Sequence, residues 1–203
     1  MDVVARPRNQ AARRDQLVAA AGRVLLNRGS SAARLSDIAG EAGVTSAAVL
    51  YYYRDVDDLF TEVFEQGVTE YVGRRQARVA AESDPTMKLR ACIHSGVPWP
   101  GVSEAASRVL VELQPVFLRN EPAARQQQEF VANQIGLYQS ILQEGADTGI
   151  FTLLEPAQFL ARNLVALEDG FVVDVLLGQM TADEEHDILV RYAKRMVQAK
   201  DWT

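Results

Sequence analysis

Apolar residues recur three and four positions apart along most of the chain, and no segment keeps the strict alternation of a half-buried strand. That pattern commits the fold to an all-α class. Residues 10–28 set Leu17, Ala21, Val24 and Leu25 on one stripe before Gly29, a C-terminal cap that tolerates the left-handed conformation. Leu35, Ile38, Ala39 and Ala42 form a second, shorter face that stops at Gly43, and Thr45 or Ser46 is placed to N-cap a third short helix. Asp55 and Asp58 resemble an acidic capping box opening a long helix to about residue 83, with Leu59, Phe60, Val63, Phe64 and Val68 on one face. Further helices are expected over 87–95, after which PWPG is a rigid break, and over 103–119, 122–148, 156–178 and 182–200. Gly149 and Gly178 are the expected stops.

Several function classes find little support. No apolar run approaches the roughly 18 residues that span a bilayer, and the first residues lack the apolar core of a secretory signal, so a cytoplasmic protein with no membrane partner is expected. The single cysteine, Cys92, can form no internal disulfide, which leaves stability to packing. Neither G-x-S-x-G, a Gly-rich phosphate loop nor H-E-x-x-H occurs, and the two histidines are His94 and His186. A Cys92–His94 dyad is disfavoured because a two-residue step on a helix points side chains apart, and Glu185 with His186 makes a poor metal site. The chain is therefore expected to be no enzyme and to need no cofactor.

Charge is lopsided. Eight arginines face four acids up to Arg54, a net of +4, so with a total of −6 the remainder carries −10. A basic head on an acidic body suits a chain that meets a polyanion through its first quarter. Two short helices joined by a glycine-containing turn form a helix-turn-helix, whose second helix enters the major groove. Small residues at Ser46, Ala47 and Ala48 let that helix approach phosphates and base edges, and Tyr51 and Tyr52 can reach outward to phosphate or a thymine methyl. A staple of buried tyrosines between helices is the competing explanation.

The stretch LSDIAGEAGVTSAAVLYYYRDVDDLF, within residues 10–66, resembles the DNA-binding signature of the tetracycline-repressor (TetR) family of bacterial transcription regulators. The resemblance implies that Thr45, Ser46 and Ala47 open the recognition helix, that Tyr51 and Tyr52 face DNA, and that Tyr53 packs inward as an anchor. Leu50 and Val56 stand where that family often holds a phosphate-binding tyrosine and a lysine. Arg34 and Ser36 at the entry of the second helix, and Arg8, Arg13 and Arg14 before it, are expected to substitute. It implies a DNA-binding domain over 1–55 and an effector-binding and dimerisation domain over 56–203, with the helix from Val56 as the lever between them.

In that family the second domain encloses a small-molecule cavity, and its last two long helices pair with a second subunit. Leu160, Leu164, Leu167, Phe171 and Val175 form one stripe, widened by Val172, Val173, Leu176 and Leu177; Ile188, Leu189, Tyr192, Met196 and Val197 do likewise on the final helix. Such stripes serve a homodimer or an ordinary core. Trp99, Glu112, Phe117, Phe130, Asn133 and Tyr138 lie on helices the resemblance sets around the cavity, and their mixture suits a small apolar or amphipathic effector. The chain so read is a ligand-responsive repressor that binds a near-palindromic double-stranded DNA operator as a homodimer and leaves it when the effector binds. A helical adaptor that uses the same head on a protein partner is the alternative.

Overall fold

In the computed structural model, which describes residues 5–199 and Trp202, the described residues form ten α-helices and no strand. The first is α1 (Ala5–Arg28), followed by α2 (Leu35–Glu41) and α3 (Ser46–Leu50). At seven and five residues, α2 and α3 fall well below the roughly 12–15 at which an isolated helix becomes marginally stable, so packing has to hold them. Ile38, Val49 and Tyr53 are buried with Leu17, Val24 and Leu25 of α1. Each such aliphatic side chain contributes about 1.5–3 kcal/mol. Between α2 and α3, Gly43 sits at φ +66, a conformation costly to any residue with a Cβ, and the Val44 amide donates back to the Ala39 carbonyl at 2.9 Å.

The long helix α4 (Val56–Ala80) starts where Asp55 accepts from the Asp58 amide at 2.9 Å. Only half of the expected acidic box forms, because the Asp58 carboxylate is taken bidentately by Arg54 at 2.7 and 2.8 Å. Next come α5 (Pro85–Gly96), N-capped by Asp84, then α6 (Val102–Glu112) and α7 (Gln114–Arg119). The single helix expected over 103–119 is thus two helices. Pro115 has no amide to donate to the preceding turn, and its ring would meet that turn's carbonyl, so the chain breaks at Leu113 and restarts. The last three are α8 (Glu121–Asp147), α9 (Ala157–Leu176) and α10 (Ala182–Val197). Gln198, at φ +42, ends α10 short of the expected residue 200.

By contact the chain divides into two compact units: the described residues to Val68 with Arg108–Gln126, and Thr69–Ser107 with those from Gln127 onward. This differs from a cut at 55/56. Leu59, Phe60, Val63 and Phe64 at the start of α4 are buried in the first unit, and Phe117 of α7 packs edge-on against Phe64 at 4.8 Å. The second unit centres on Leu89, Ile93, Tyr138, Ile141, Leu142, Leu160, Leu164 and Leu189. No described helix is long and apolar enough to cross a membrane.

Candidate functional site

The head is built from its anchor outward. Tyr53 is buried, its hydroxyl donates to Glu62 Oε2 at 2.9 Å, and Arg14 lies over its ring at 5.1 Å. Burial first, and then Glu62, raises the phenol above its ordinary pKa, so it stays neutral. With that ring fixed, the residues before it face solvent: Thr45, Ser46 and Ala47 are exposed, Ala48 is half-buried, and Tyr51 is 73% exposed. Tyr52 is half-buried and meets Tyr51 edge-on at 5.0 Å. Thr45 caps α3 by accepting from the Ala48 amide at 3.2 Å, which occupies that amide and leaves the exposed side chains to make contacts.

Arg34 and Ser36 are exposed at the start of α2, and among the described residues the Arg34 guanidinium has no carboxylate partner. Arg14 is committed instead to Glu62 at 2.5 Å, so it is not the spare cation the sequence suggested. Arg13 donates to Gln16 at 2.8 Å. The Arg8 side chain lies outside the described residues.

The second unit contains a cavity of about 460 Å³ between the second half of α4, the end of α5 and the start of α6, lined by Tyr71, Arg75, Arg78, His94, Trp99 and Ser107 among others. Of the residues expected around a ligand, Trp99 lines it. Phe130 packs edge-on against Tyr71 at 5.6 Å, and Tyr138 is fully buried beside Arg75. Asn133 points to solvent, and the buried polar residue on that turn is Gln134. Glu112 and Phe117 belong to the first unit, where the Glu112 carboxylate lies against Gly29.

Beneath the cavity runs a buried polar cluster. Arg75 donates from one nitrogen to both Glu168 oxygens at 3.0 and 3.1 Å, to the Tyr71 hydroxyl at 2.5 Å and to Cys92 Sγ at 3.4 Å, while Tyr138 donates to Glu168. Burial pushes the Cys92 thiol up, as an inert core cysteine requires, and His94 lies elsewhere, stacked on Trp99 at 4.8 Å. Neighbouring Glu185 is fully buried, with no donor for either oxygen among the described residues, and burial with nearby Glu168 raises its pKa to about 8. The cluster went unread, although Glu168 continues the stripe of Leu160 and Leu164 at a four-residue step, a core-facing position for a charge.

On α9, Leu164 is 1% exposed and serves its own core, so it is not on a free face. Leu167, Phe171 and Val175 are half-buried, as are Tyr192 and Met196 on α10, and Ile188 is exposed. The open apolar face is rotated from the expected stripe: Phe159, Val173 and Leu177 are exposed, with Ala166 and Gly170 between them.

An exposed, small-faced recognition helix on a buried tyrosine anchor, in an all-helical chain with a second cavity-bearing unit, defines a helix-turn-helix transcription regulator. Residues 17–63 match the family described as bacterial regulatory proteins of the tetR family, and residues 85–198 match the BetI-type transcriptional repressor C-terminal family. The chain belongs to the TetR family of transcription regulators, with a C-terminal domain of the BetI type. It is 27% identical over 194 residues to the HTH-type transcriptional regulator BetI of Stenotrophomonas maltophilia, covering 92% of this chain and 94% of that one. Among solved structures it resembles a Saccharomonospora viridis transcriptional regulator in complex with choline (TM-score 0.86, 22% identity, 92% and 98% covered). A TetR regulator from Haloarcula marismortui is similar too (TM-score 0.83, 22% identity, 93% and 100% covered).

Proposed function

We propose that this regulator is a cytoplasmic homodimeric repressor, without enzymatic activity, that leaves a near-palindromic operator when a small amphipathic effector enters the second unit. The observation that carries this reading is the exposed face of α3, with Ser46 and Ala47 at its leading end and Tyr51 at its C-cap turned outward beside the buried Tyr53. One such helix offers too little surface to select a site, whereas two related by a two-fold axis read half-sites about one turn apart. The dimer forms through Phe159 and Val173 of α9, Leu177 at its C-cap and Ile188 of α10, apolar side chains that a monomer leaves wet. Leu167, Phe171, Val175, Tyr192 and Met196 back that face.

In function the chain divides into a DNA reader over 1–55 and a sensor over 56–203. The α4 helix carries Leu59 and Phe60 in the first unit and Tyr71, Arg75 and Arg78 at the cavity, and so serves as the lever. A ligand that prefers the head spacing incompatible with DNA releases the operator by linkage. That the S. viridis protein is in complex with choline supports a small-molecule effector as the class of signal. Footprinting on DNA flanking the coding region tests the reading: protection of two inverted half-sites about 10 base pairs apart, weakening steeply with salt, is expected. Salt-independent binding to a protein partner, with no protected DNA, would establish the adaptor instead.

A further inference from the structure

We infer that the cavity of the second unit is selective for an organic anion, a carboxylate on an apolar or planar body, and excludes a quaternary ammonium ion of the kind held by the S. viridis regulator. The inference rests on the reading of this cavity as the effector site and assigns the ligand's chemistry. Its basis is the donor set. The lining carries the guanidinium groups of Arg74, Arg75 and Arg78, the His94 imidazole and the hydroxyls of Tyr71, Ser95, Ser103 and Ser107, and among the described residues it contains no carboxylate.

The three arginines are not equivalent. Arg75 at the floor is neutralised by both oxygens of Glu168 and is 1% exposed, so it offers a ligand no net charge. Among the described residues Arg74 has only a loose, solvent-exposed carboxylate partner, Glu70, at 3.6 Å. Arg78 has no carboxylate partner among the described residues; its guanidinium is held 2.5 Å from His94 Nδ1. That contact fixes the tautomer: Nδ1 accepts from Arg78, so His94 is neutral and its proton sits on Nε2 as a further donor. Burial, Arg78 and His186 all favour the neutral ring.

A carboxylate is the ligand group that satisfies a fixed guanidinium together with hydroxyl donors, whereas a cation there would face Arg78 without a counter-charge. Asp169, whose carboxylate feels Arg75, is absent from the lining, and the two buried carboxylates beside the floor cannot serve a cation. Glu168 is consumed by Arg75 and Tyr138, and its carboxylate sits where a Cβ at Gly96 would be, so Gly96 lets the floor close over it. Glu185 is fully buried and is absent from the cavity lining. For the ligand's body, Trp99 is the platform: its indole nitrogen is tied to the His94 carbonyl at 2.8 Å, and its ring stacks on the His94 ring with planes 27° apart.

Paired probes of one body and opposite head test this on the full-length chain carrying Trp202→Phe, which leaves Trp99 as its one tryptophan. 4-Phenylbutyrate is expected to saturate the Trp99 fluorescence change with an affinity at least tenfold above that of phenylpropyl-trimethylammonium. Arg78→Gln should weaken the anion at least tenfold without weakening the cation, and Arg78→Lys should restore part of the loss. Equal or tighter binding of the cation, an anion affinity indifferent to Arg78→Gln, or no Trp99 response to the anion would each overturn the assignment. Operator affinity measured in the same samples separates the two readings. An Arg78-dependent anion that leaves operator affinity unchanged upholds the ligand class and removes the effector role, while a cation that alone releases the operator does the reverse.

Discussion

Glu185→Gln replaces a buried carboxyl, both of whose oxygens lack a donor among the described residues, with a neutral group of the same shape. In the folded protein burial and Glu168 raise this carboxyl's pKa from the usual 4.5 to about 8. Stability from this group is therefore complete below the unfolded value and is lost as pH rises toward the folded one, because the unfolded chain releases the proton first. Each pH unit between the two values costs about 1.4 kcal/mol. The Gln variant should then gain on the parent by about 1.4 kcal/mol at pH 5.5 and about 4 kcal/mol at pH 7.5, levelling off above pH 8. Urea unfolding followed by circular dichroism at matched protein concentration reads this difference. Any pH-independent penalty from the buried amide shifts the whole line and leaves its slope, and His94 and His186 are present in both proteins. A stability difference flat from pH 5.5 to 8 would show that Glu185 is ionised in the fold, and the reasoning would fail.

Removing one partner of the buried Arg75–Glu168 pair, by Arg75→Met, should cost about 3–5 kcal/mol because it strands a charge. Arg75→Met with Glu168→Leu should cost markedly less, and thermal unfolding of the three proteins decides. Leu177→Glu places a charge at the C-cap of α9, on its exposed apolar side, and should leave a folded monomer in sedimentation analysis; an unchanged dimer would move the interface elsewhere. Arg34→Ala should lower operator affinity and reduce the salt slope by about one ion, with no change in unfolding, since its guanidinium has no carboxylate partner among the described residues.

The head was legible because its determinants are local. Thr45 caps within three residues, Gly43 turns where a Cβ would strain, and Tyr53 follows Tyr51 and Tyr52 at the step that turns it inward. The second unit was legible only as helices. Periodicity says which residues share a stripe but not whether the stripe meets the chain's own core or stays open, so Leu164 and Val173 looked alike although one is buried and the other exposed. The polar cluster joins Arg75 to Glu168 across 93 positions, a pairing no local pattern carries. Asn133 and Gln134 illustrate the same limit: neighbouring amides on one helix, with opposite exposure set by which neighbours pack there.

The most direct measurement of the central claim compares operator affinity in Tyr51→Ala and Tyr53→Phe, by fluorescence anisotropy at fixed salt, beside their unfolding free energies. Tyr51 faces outward and Tyr53 inward, so the first change should weaken DNA binding at least tenfold with stability unaltered. The second should leave affinity nearly intact and cost about 1 kcal/mol of stability for the lost hydroxyl donation to Glu62. Parental affinity in Tyr51→Ala would contradict the assignment of this exposed α3 surface to the duplex.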